Sequence, residues 1–595
     1  MPPPVAPSSH TLVPGKSAVP LLKPQLLLLS HDRGPHHLHL PAGVFCMLLR
    51  TLTAALLLLP NAALAQSDSA PPAARWPLRN SPANALQPSA PVVLRGKATV
   101  TDHADFPGSG SWIEVPASHT PDLGTADFTI TAKVCCPPND GPSGDIISQY
   151  DPATRRGFHL TLKTAAGVTS SQASLRQLHF GIDDNRLSPW LDHGRPGNAL
   201  LGFAMAAHNN TLFVGTCEPD AGQAGHVYRL DAGGQWIDCG APDQSNSVTA
   251  MAELADQLYV GTGKYRVAGS SLPESPNTSP GGRVFRRIAD GRWEDCGQLP
   301  GVEAIGGLAV FQGHLHASSL YKPAGFFRLE KNGTWTTLPV PQATAPAPGT
   351  SPDRRVEAMT VWEGALYAGS YDGGSVYRWD GNSWTDLGTL GDNTQTYSFA
   401  QYDGQLYVGT WPSGRVYRFA GPNQWVDCGR LGEELEVMGM LVHNGRLLAG
   451  TLPLAEMYQY EGTVSWQKLT QLDRTPDVKY RRAWTLAELH GRLYCSTLPS
   501  GHIWSVQAGA SVQHHAAFPD GWHDIAAVRT GRQLLLYIDG KQVATASIPA
   551  DSPIDLHSTA PLRIGAGMNG SLNGRLRDLR IYQRALTVTE LQPVQ

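Results

Sequence analysis

The sequence predicts an all-β protein in which a seven-bladed β-propeller is inserted into a second, split β domain. Three observations support this prediction. Glycine and proline are abundant, at 62 and 47 of 595 residues, a short phrase recurs along the middle of the chain, and the flanking segments contain short alternating runs. Long apolar helical periods are scarce, so turn-rich strands account for the composition better than helices do.

The repeated phrase reads Leu-Tyr-Val-Gly-Thr, a variable loop, Val-Tyr-Arg, a turn, and then Trp-x-Asp-Cys-Gly. Successive copies lie 40 to 57 residues apart. The seven copies begin at Leu212, Leu258, Leu315, Leu366, Leu406, Leu447 and Leu493. Each copy contains four β-like runs, and four short strands at this period are typical of one propeller blade.

A tryptophan column indicates how the array closes. The tryptophans that end the first six repeats are Trp236, Trp293, Trp335, Trp384, Trp425 and Trp466. The seventh repeat lacks this run, and an equivalent run begins at Trp190, before the first repeat. We therefore expect the Trp190 strand to complete the last blade, which would leave no exposed edge. The tryptophans are interpreted as wedges between blades rather than as ligand-stacking groups.

The flanking segments 94–187 and 508–593 are predicted to be two halves of one domain around the propeller at 188–506. The second half contains alternating strands, an Asp539-Gly540 hairpin turn, and a further strand ending at Tyr582. This half resembles the laminin-G-like, concanavalin A-like jelly-roll family of bacterial exported proteins. The first half matches more loosely, for example at Trp112. The resemblance implies a jelly-roll β-sandwich that binds carbohydrate or protein surfaces.

Calcium is the one cofactor that this resemblance suggests, because some relatives bind it. No set of calcium ligands can be assigned from the sequence. His314 and His316 alternate along one run and could share a metal ion, but His316 occupies a column usually filled by tyrosine, which favours packing. The metal ligands are therefore unknown at this stage.

The N-terminal region predicts export. Residues 47–65 read as a signal peptide, with a charged start, a short apolar core and a small-residue cleavage site that leaves Gln66 first. The apolar run is too short to span a bilayer. Residues 1–46 either precede the true start at Met47 or form a disordered extension, and 66–93 are predicted to be a disordered linker. We expect a secreted, periplasmic or cell-envelope protein.

The charge balance narrows the classes of binding partner, and the positions of the cysteines indicate their role. The 46 Lys and Arg residues nearly balance the 50 Asp and Glu residues, so no strong field is available to attract nucleic acid. The expected partner is a glycan or an extracellular protein. Cys239, Cys296 and Cys428 occupy equivalent places in three repeats and are interpreted as small buried residues. No role is assigned to Cys135 and Cys136.

The candidate site is the predicted mouth of the propeller, lined by the positions where the innermost strand of each repeat begins and by the loops between second and third strands, which contribute Trp411. The residues gathered there are arginines, acids and aromatic residues that the repeat itself does not require. They are Arg354, Arg355, Glu357, Tyr397, Trp411, Glu436, Arg481, Arg482 and Trp484. Arginine forks onto acid groups, and aromatic rings can stack on sugars. The alternative interpretation is a solvated rim of compensating ion pairs.

Known catalytic motifs are missing. The Ser/Thr-x-Asp-x-Gly-x-Thr-Trp boxes of sialidases do not occur, nor does a Gly-x-Ser-x-Gly elbow or a His-Glu-x-x-His motif. The sequence therefore favours a non-catalytic recognition protein, and no catalytic residue is predicted. One alternative is a polysaccharide lyase or glycoside hydrolase that uses Glu357 and Glu436 at the mouth. Another is a structural scaffold in envelope assembly.

Overall fold

The computed structural model describes residues 70–137, 144–164, 171–173, 176–344, 346, 349–549 and 553–592. The predicted signal peptide and the segment before it lie outside these residues. The described chain is all-β, apart from two 3₁₀ turns at Ala117–His119 and Val267–Ser270. No helix within it has the length and apolar character needed to span a bilayer.

Ten strands precede the repeats. They are β1 Ala74–Trp76, β2 Val93–Arg95, β3 Thr99–Val100, β4 Ala104–Pro107, β5 Trp112–Val115, β6 Phe128–Cys136, β7 Gly144–Asp151, β8 Arg156–Lys163, β9 Ser171–Ala173 and β10 Gln177–Leu187. Their apolar residues alternate along the chain, as in Phe128, Ile130 and Ala132, which are all buried.

The repeats form the strands of a propeller-like ring of sheets. The strand before the first repeat is β11 Leu191–Asp192. The first three repeats are β12 Leu201–His208, β13 Thr211–Cys217, β14 Val227–Leu230, β15 Trp236–Asp238; β16 Ser247–Leu254, β17 Gln257–Gly263, β18 Arg283–Ala289, β19 Arg292–Gln298; β20 Ile305–Phe311, β21 His314–Ser319, β22 Phe326–Leu329 and β23 Trp335–Leu338. The next two are β24 Val356–Trp362, β25 Ala365–Ser370, β26 Ser375–Trp379, β27 Trp384–Thr389; β28 Gln395–Tyr402, β29 Gln405–Trp411, β30 Arg415–Gly421 and β31 Gln424–Arg430. The last two are β32 Glu436–His443, β33 Arg446–Leu452, β34 Glu456–Gly462, β35 Ser465–Gln471; β36 Arg482–Leu489, β37 Arg492–Leu498 and β38 Ile503–Val506.

Eight strands follow the ring and complete the sandwich. They are β39 Ala508–Gln513, β40 Gly521–Thr530, β41 Gln533–Ile538, β42 Lys541–Ser547, β43 Leu562–Ile564, β44 Ala566–Gly567, β45 Gly570–Ser571 and β46 Asn573–Tyr582. One sheet has the order β3-β4-β46-β6-β40-β41-β42, with β1 added to β46, and the other has the order β2-β5-β43-β7-β8-β10-β39. Both sheets combine strands from before and after the ring.

The predicted disordered linker at 66–93 is wrong for its middle part. Ala74–Trp76 pairs antiparallel with Leu579–Ile581, and both Ala74 and Trp76 are fully buried in the sandwich core. The sequence signal is a single apolar alternation of three residues inside a Ser/Pro/Ala-rich segment, so composition concealed it.

The predicted count of seven separate blades is also corrected. Five four-stranded sheets are separate, namely β20–β23, β24–β27, β28–β31, β32–β35 and β36–β38 with β11. The first two repeats instead share one nine-stranded sheet, because Cys217 at the end of β13 pairs with Ser247 at the start of β16, and β9 adds the ninth strand. The innermost strands follow one another around a closed ring, with β36 beside β12.

The predicted closure of the ring is confirmed. In β11, Leu191 and Asp192 pair antiparallel with Ser505 and Trp504 of β38, the third strand of the last repeat. The described segment before the first repeat therefore supplies the outer strand of the last one. This pairing joins the two ends of the ring by backbone hydrogen bonds.

The tryptophan column connects neighbouring repeats. Each of the six indole Nε1 groups donates a hydrogen bond to a backbone carbonyl of the preceding repeat or of the closing segment. The pairs are Trp236 with His193, Trp293 with Cys239, Trp335 with Cys296, Trp384 with Pro339, Trp425 with Leu387 and Trp466 with Cys428, at 2.8–3.0 Å. The structure thus gives the column a role between repeats. The seven described cysteines form no disulfide bond with one another; Cys239 and Cys428 are buried, whereas Cys296 is partly exposed.

The sandwich packs against the end of the ring where the innermost strands finish. His443 Nδ1 donates to the Glu488 carboxylate at 3.0 Å, and the Lys163 ammonium of the sandwich pairs with the same carboxylate. Arg446 forks onto Asp183 at 2.7 and 2.9 Å. All five side chains are buried. This end of the ring is therefore held by paired charges.

A short strand of the sandwich segment enters the ring. Ser171–Ala173 (β9) pairs in parallel with Met251–Glu253 of the innermost strand β16 and also lies near β12 and β20. A strand of the sandwich segment therefore lies inside the ring, at the end that faces the sandwich.

Candidate functional site

The mouth is the ring end at which the innermost strands begin, opposite the sandwich. The first residues of those seven strands are Leu201, Ser247, Ile305, Val356, Gln395, Glu436 and Arg482. These positions are equivalent in all seven repeats, because each innermost strand starts directly after the loop that crosses from the preceding repeat. Side chains that differ between repeats at this level are therefore brought together on one end of the ring.

Three charged side chains form the floor of the mouth: Glu357, Glu436 and Arg482. They are 3%, 2% and 6% exposed. Both carboxylate oxygens of Glu357, Oε1 of Glu436, and Nε and Nη1 of Arg482 are buried without a hydrogen-bond partner among the described residues. Buried polar groups in proteins almost always have partners, so this concentration of unmet donors and acceptors is unusual.

The floor is electrostatically coupled. Burial raises the pKa of Glu436 from 4.5 to about 7, although nearby Arg482 and a hydrogen bond from Tyr397 act to lower it. Burial and then the charge of Glu436 raise the pKa of Glu357 well above its ordinary value, against the influence of Arg355. One buried carboxyl therefore favours the protonated form of the other, which is the behaviour of neighbouring acids.

A rim of aromatic side chains surrounds the floor. Its members are partly buried and pack on one apolar cluster with Trp484: Tyr321, Tyr371, Tyr397, Trp411 and Tyr480. Tyr371 meets Tyr397 edge-on at 4.8 Å between ring centroids, and Trp411 meets Tyr480 at 6.3 Å. The Arg482 guanidinium lies 5.6 Å from the Tyr480 ring centroid and 5.5 Å from that of Trp484. The mouth thus joins an aromatic wall to a charged floor.

Three of the predicted arginines have other partners. Arg355 forks onto Asp372 at 2.8 and 2.9 Å and also donates to the Leu320 carbonyl. Arg354 donates to the Ser351 carbonyl at 2.7 Å, and Arg481 donates to the Thr475 carbonyl at 2.6 Å. The strand register predicts these three arginines at the mouth. Their guanidinium groups, however, already form hydrogen bonds with other residues of the chain.

The remaining predicted residues lie together, although not with the same exposure. Glu357, Glu436, Arg482 and Trp484 are buried, whereas Tyr397 and Trp411 are partly exposed. Trp484 donates its Nε1 to the Phe203 carbonyl at 3.0 Å, so it supports the site from below. Sequence reasoning missed Tyr321 and Tyr480. Tyr480 stands only two residues before Arg482, and reading the whole connecting loop would have found it.

The structure bears on two metal expectations, the pair His314 and His316 and a calcium ion. His316 is buried and stacks on Phe326 at 5.4 Å between centroids, in keeping with the packing interpretation. Within the described residues, the one group of three or more His, Cys, Asp or Glu side chains close enough to share a metal is His208, Glu253 and Asp256. It lies on the ring and includes an imidazole, which suits calcium poorly. Within the part of the sandwich that the structure describes, no such group supports the calcium expectation.

Comparison with known proteins gives a partial family match. The model of the concanavalin A-like lectin/glucanases superfamily matches residues 491–592, which include β39–β46. Among curated proteins, none matches this chain.

Several solved structures match this chain at low identity. Streptogramin B lyase is 10% identical, with a TM-score of 0.41 over 54% of this chain and 98% of that chain. Virginiamycin B lyase from Staphylococcus aureus is 9% identical, with a TM-score of 0.42 over 54% and 99%. Trypanosoma rangeli sialidase is 11% identical, with a TM-score of 0.27 over 69% and 98%. None of these values supports the transfer of a function.

Proposed function

We propose that this chain is an exported recognition protein that binds carbohydrate through the mouth of its ring. The single observation that carries the proposal is the floor of Glu357, Glu436 and Arg482, five of whose buried polar atoms lack a partner among the described residues. Leaving such groups unmet costs roughly 1–3 kcal/mol each, and more for charged groups. A fold keeps that cost where another molecule supplies the missing partners.

The chemistry of a sugar fits both parts of this site. Hydroxyl groups donate to carboxylates and accept from a guanidinium, so one ring could serve Glu436 and Arg482 together. The apolar face of a pyranose ring can lie on the partly exposed Tyr397 or Trp411 of the rim. A mouth with both features is suited to a hydroxyl-rich ligand that also has an apolar face.

A second candidate is a polysaccharide-active enzyme with its site at the same place. The observation that favours it is the raised pKa of Glu436, about 7, beside the more strongly raised pKa of Glu357. A carboxyl that titrates near neutrality can donate a proton to a leaving group or remove one from a substrate. Recognition and catalysis would then use the same floor, and product formation distinguishes them.

The test begins with a glycan array probed with the full chain, followed by calorimetric titration of the best ligand. We expect Arg482→Ala to weaken binding about 30-fold or more, since truncating a desolvated charged contact costs about 2–5 kcal/mol. Glu357→Gln should also weaken binding, by less, because that carboxyl favours its neutral form. Arg481→Ala is the matched control and should bind as the wild type does, because that guanidinium already serves Thr475. Equal affinity of all variants, or no ligand on the array, contradicts the proposal.

A reducing-end assay on the bound glycan separates the two candidates. Recognition alone predicts no new reducing ends from the wild type. Release of ends that stops in Glu436→Gln would replace recognition by catalysis at the same floor.

Export and domain boundaries belong to the same proposal. The signal-peptide pattern at 47–65 supports a protein that begins at Gln66 after cleavage. The concanavalin A-like match supports a sandwich whose two halves, predicted at 94–187 and 508–593 and extended by the strand Ala74–Trp76, lie on either side of a ring at 188–506. Mass spectrometry of the exported protein should find Gln66 as its first residue, and a retained N-terminus would contradict export by this route.

A further inference from the structure

A second cleft lies between the sandwich and the ring, away from the mouth. Its volume is about 510 Å³, within the range of small-molecule sites, which often form at domain boundaries. The ring contributes Gln312, Trp362 and Gln401, and the sandwich contributes Asn569 and Asn573. Neither domain forms the cleft by itself.

The cleft has one aromatic wall. Trp362 is partly buried, and its indole meets Tyr367 at 5.4 Å and Phe419 at 5.8 Å between ring centroids, both edge-on. These contacts fix the orientation of the indole while part of it stays accessible. A fixed aromatic ring in a cleft offers a stacking surface at little entropic cost.

Amide side chains of the cleft are held in place from behind. Asn569 donates its Nδ2 to Asp145 Oδ1 at 3.1 Å and its backbone N–H to Asp145 Oδ2 at 2.7 Å, and Asp145 is fully buried. Gln401 donates its Nε2 to the Val361 carbonyl at 2.9 Å. These hydrogen bonds hold each amide group in one orientation in the lining of the cleft.

The charge of the lining selects among ligands. Glu363 is the one charged side chain among the lining residues that the structure describes, and it is exposed. A lone carboxylate repels anions, and no cation is present to recognise an acid group. We propose that this cleft is a second binding site, specific for a neutral oligosaccharide. The proposal stands apart from the mouth, because it shares no residue with it.

The experiment titrates cellopentaose, laminaripentaose and mannopentaose into the full chain, with trigalacturonate as the acidic comparison, and follows heat. Two variants test the cleft: Asn573→Trp fills it, and Trp362→Ala removes its aromatic wall. Asn573→Trp leaves the packing of Trp362 on Tyr367 untouched, so its melting temperature should match that of the wild type.

We expect at least one neutral pentasaccharide to bind the wild type, and both variants to weaken it tenfold or more. Arg482→Ala, which alters only the mouth, should leave this binding unchanged, so failure of one site is distinguishable from failure of the other. Absence of binding by all three sugars, unchanged affinity in Asn573→Trp, or equal binding of trigalacturonate overturns the proposal. Should Asn573→Trp fail to fold, Gln401→Ala takes its place in the same comparison.

Discussion

The two ends of the ring treat buried carboxylates in opposite ways. At the sandwich end, burial alone would raise the pKa of Glu488, but Lys163 and His443 hold it well below its ordinary value. At the mouth, Glu357 has an equally buried side chain and a pKa well above the ordinary value, without a hydrogen-bond partner in the described chain. Both residues lie on innermost strands, Glu357 on β24 and Glu488 on β36, which belong to different repeats.

The difference separates stability from function. A paired buried carboxylate is compatible with a fixed domain contact, and the sandwich never has to leave that end. An unpaired one destabilises the fold and is tolerable only where a ligand or a proton compensates for it. The repeat supplies the same backbone to both ends, so only the side chains and their neighbours decide which use results.

The largest effect is expected at the sandwich end. Lys163→Met leaves the Glu488 carboxylate without its cation in a buried place, which should lower the free energy of unfolding by about 3–5 kcal/mol. Denaturant unfolding measures this change. The double variant Lys163→Met/Glu488→Gln should recover much of the loss, because it removes the orphaned charge as well. A loss below about 1 kcal/mol in the single variant would erase the contrast between the two ends.

The next effect concerns pH at the mouth. Glu436 titrates near 7 in the folded chain and near 4.5 when unfolded, so the folded state binds the extra proton between these values. Wild-type stability should therefore fall as the pH rises through this window. Glu436→Gln should lose less stability over this window, with a gain of up to about 3 kcal/mol over the wild type at pH 8 relative to pH 4.

The control for this pH series is Glu433→Gln, since the Glu433 side chain is 93% exposed. Its stability curve should run parallel to that of the wild type. If the curve of stability against pH for Glu436→Gln is also parallel to that of the wild type, Glu436 does not have the raised pKa that the structure indicates.

A smaller effect distinguishes the two sets of tryptophans. Trp335→Phe removes the hydrogen bond to the Cys296 carbonyl between repeats and should cost about 1 kcal/mol of unfolding free energy. Trp411→Phe at the rim removes no hydrogen bond that the structure records and should change stability by less than about 0.5 kcal/mol. Thermal melts of the two variants measure both losses of stability. Equal losses would mean that Trp411 of the rim contributes as much to stability as Trp335 of the tryptophan column.

The smallest effect is expected for exposed pairs on the outer strands. Arg415 and Asp427 are 2.6 Å apart, with side chains 39% and 44% exposed. Arg415→Ala should cost well under about 1 kcal/mol, since solvent screens such pairs. The difference in melting temperature between Arg415→Ala and the wild type should be small at low salt and should disappear at high salt. A large loss would show that burial is not what separates Glu488 from its exposed counterparts.

Much of the fold could be predicted because its signals are local and repeated. The period, the tryptophan column and the Trp190 run fixed the ring and its closure without knowledge of any distant contact. The shared sheet of the first two repeats could not be foreseen, because it depends on one pairing between strand ends, Cys217 of β13 with Ser247 of β16. The strand at Ala74 was hidden for the opposite reason, since its signal is only three residues long.

The candidate site was predictable in position but not in detail. Repeat alignment brought Glu357, Glu436 and Arg482 to one level, and the structure places them on one floor. It could not show that Arg355 is paired with Asp372, because that partner lies in a loop outside the aligned columns. Nor could it separate Arg482 from Arg481, whose side chains diverge at a strand entry. Neighbouring positions on a strand face opposite ways, and only the structure says which faces inward.

The order of strands in the sandwich has a consequence for biosynthesis. Strand β6 lies between β40 and β46, and both neighbours belong to the part of the chain that follows the ring. A ribosome therefore completes more than three hundred residues of ring between Cys136 and the first partner of its strand. Throughout that interval β6 offers two bare edges, a hazard for aggregation, and ends in two adjacent thiols. We expect a nascent chain halted after the ring to need a chaperone on this segment.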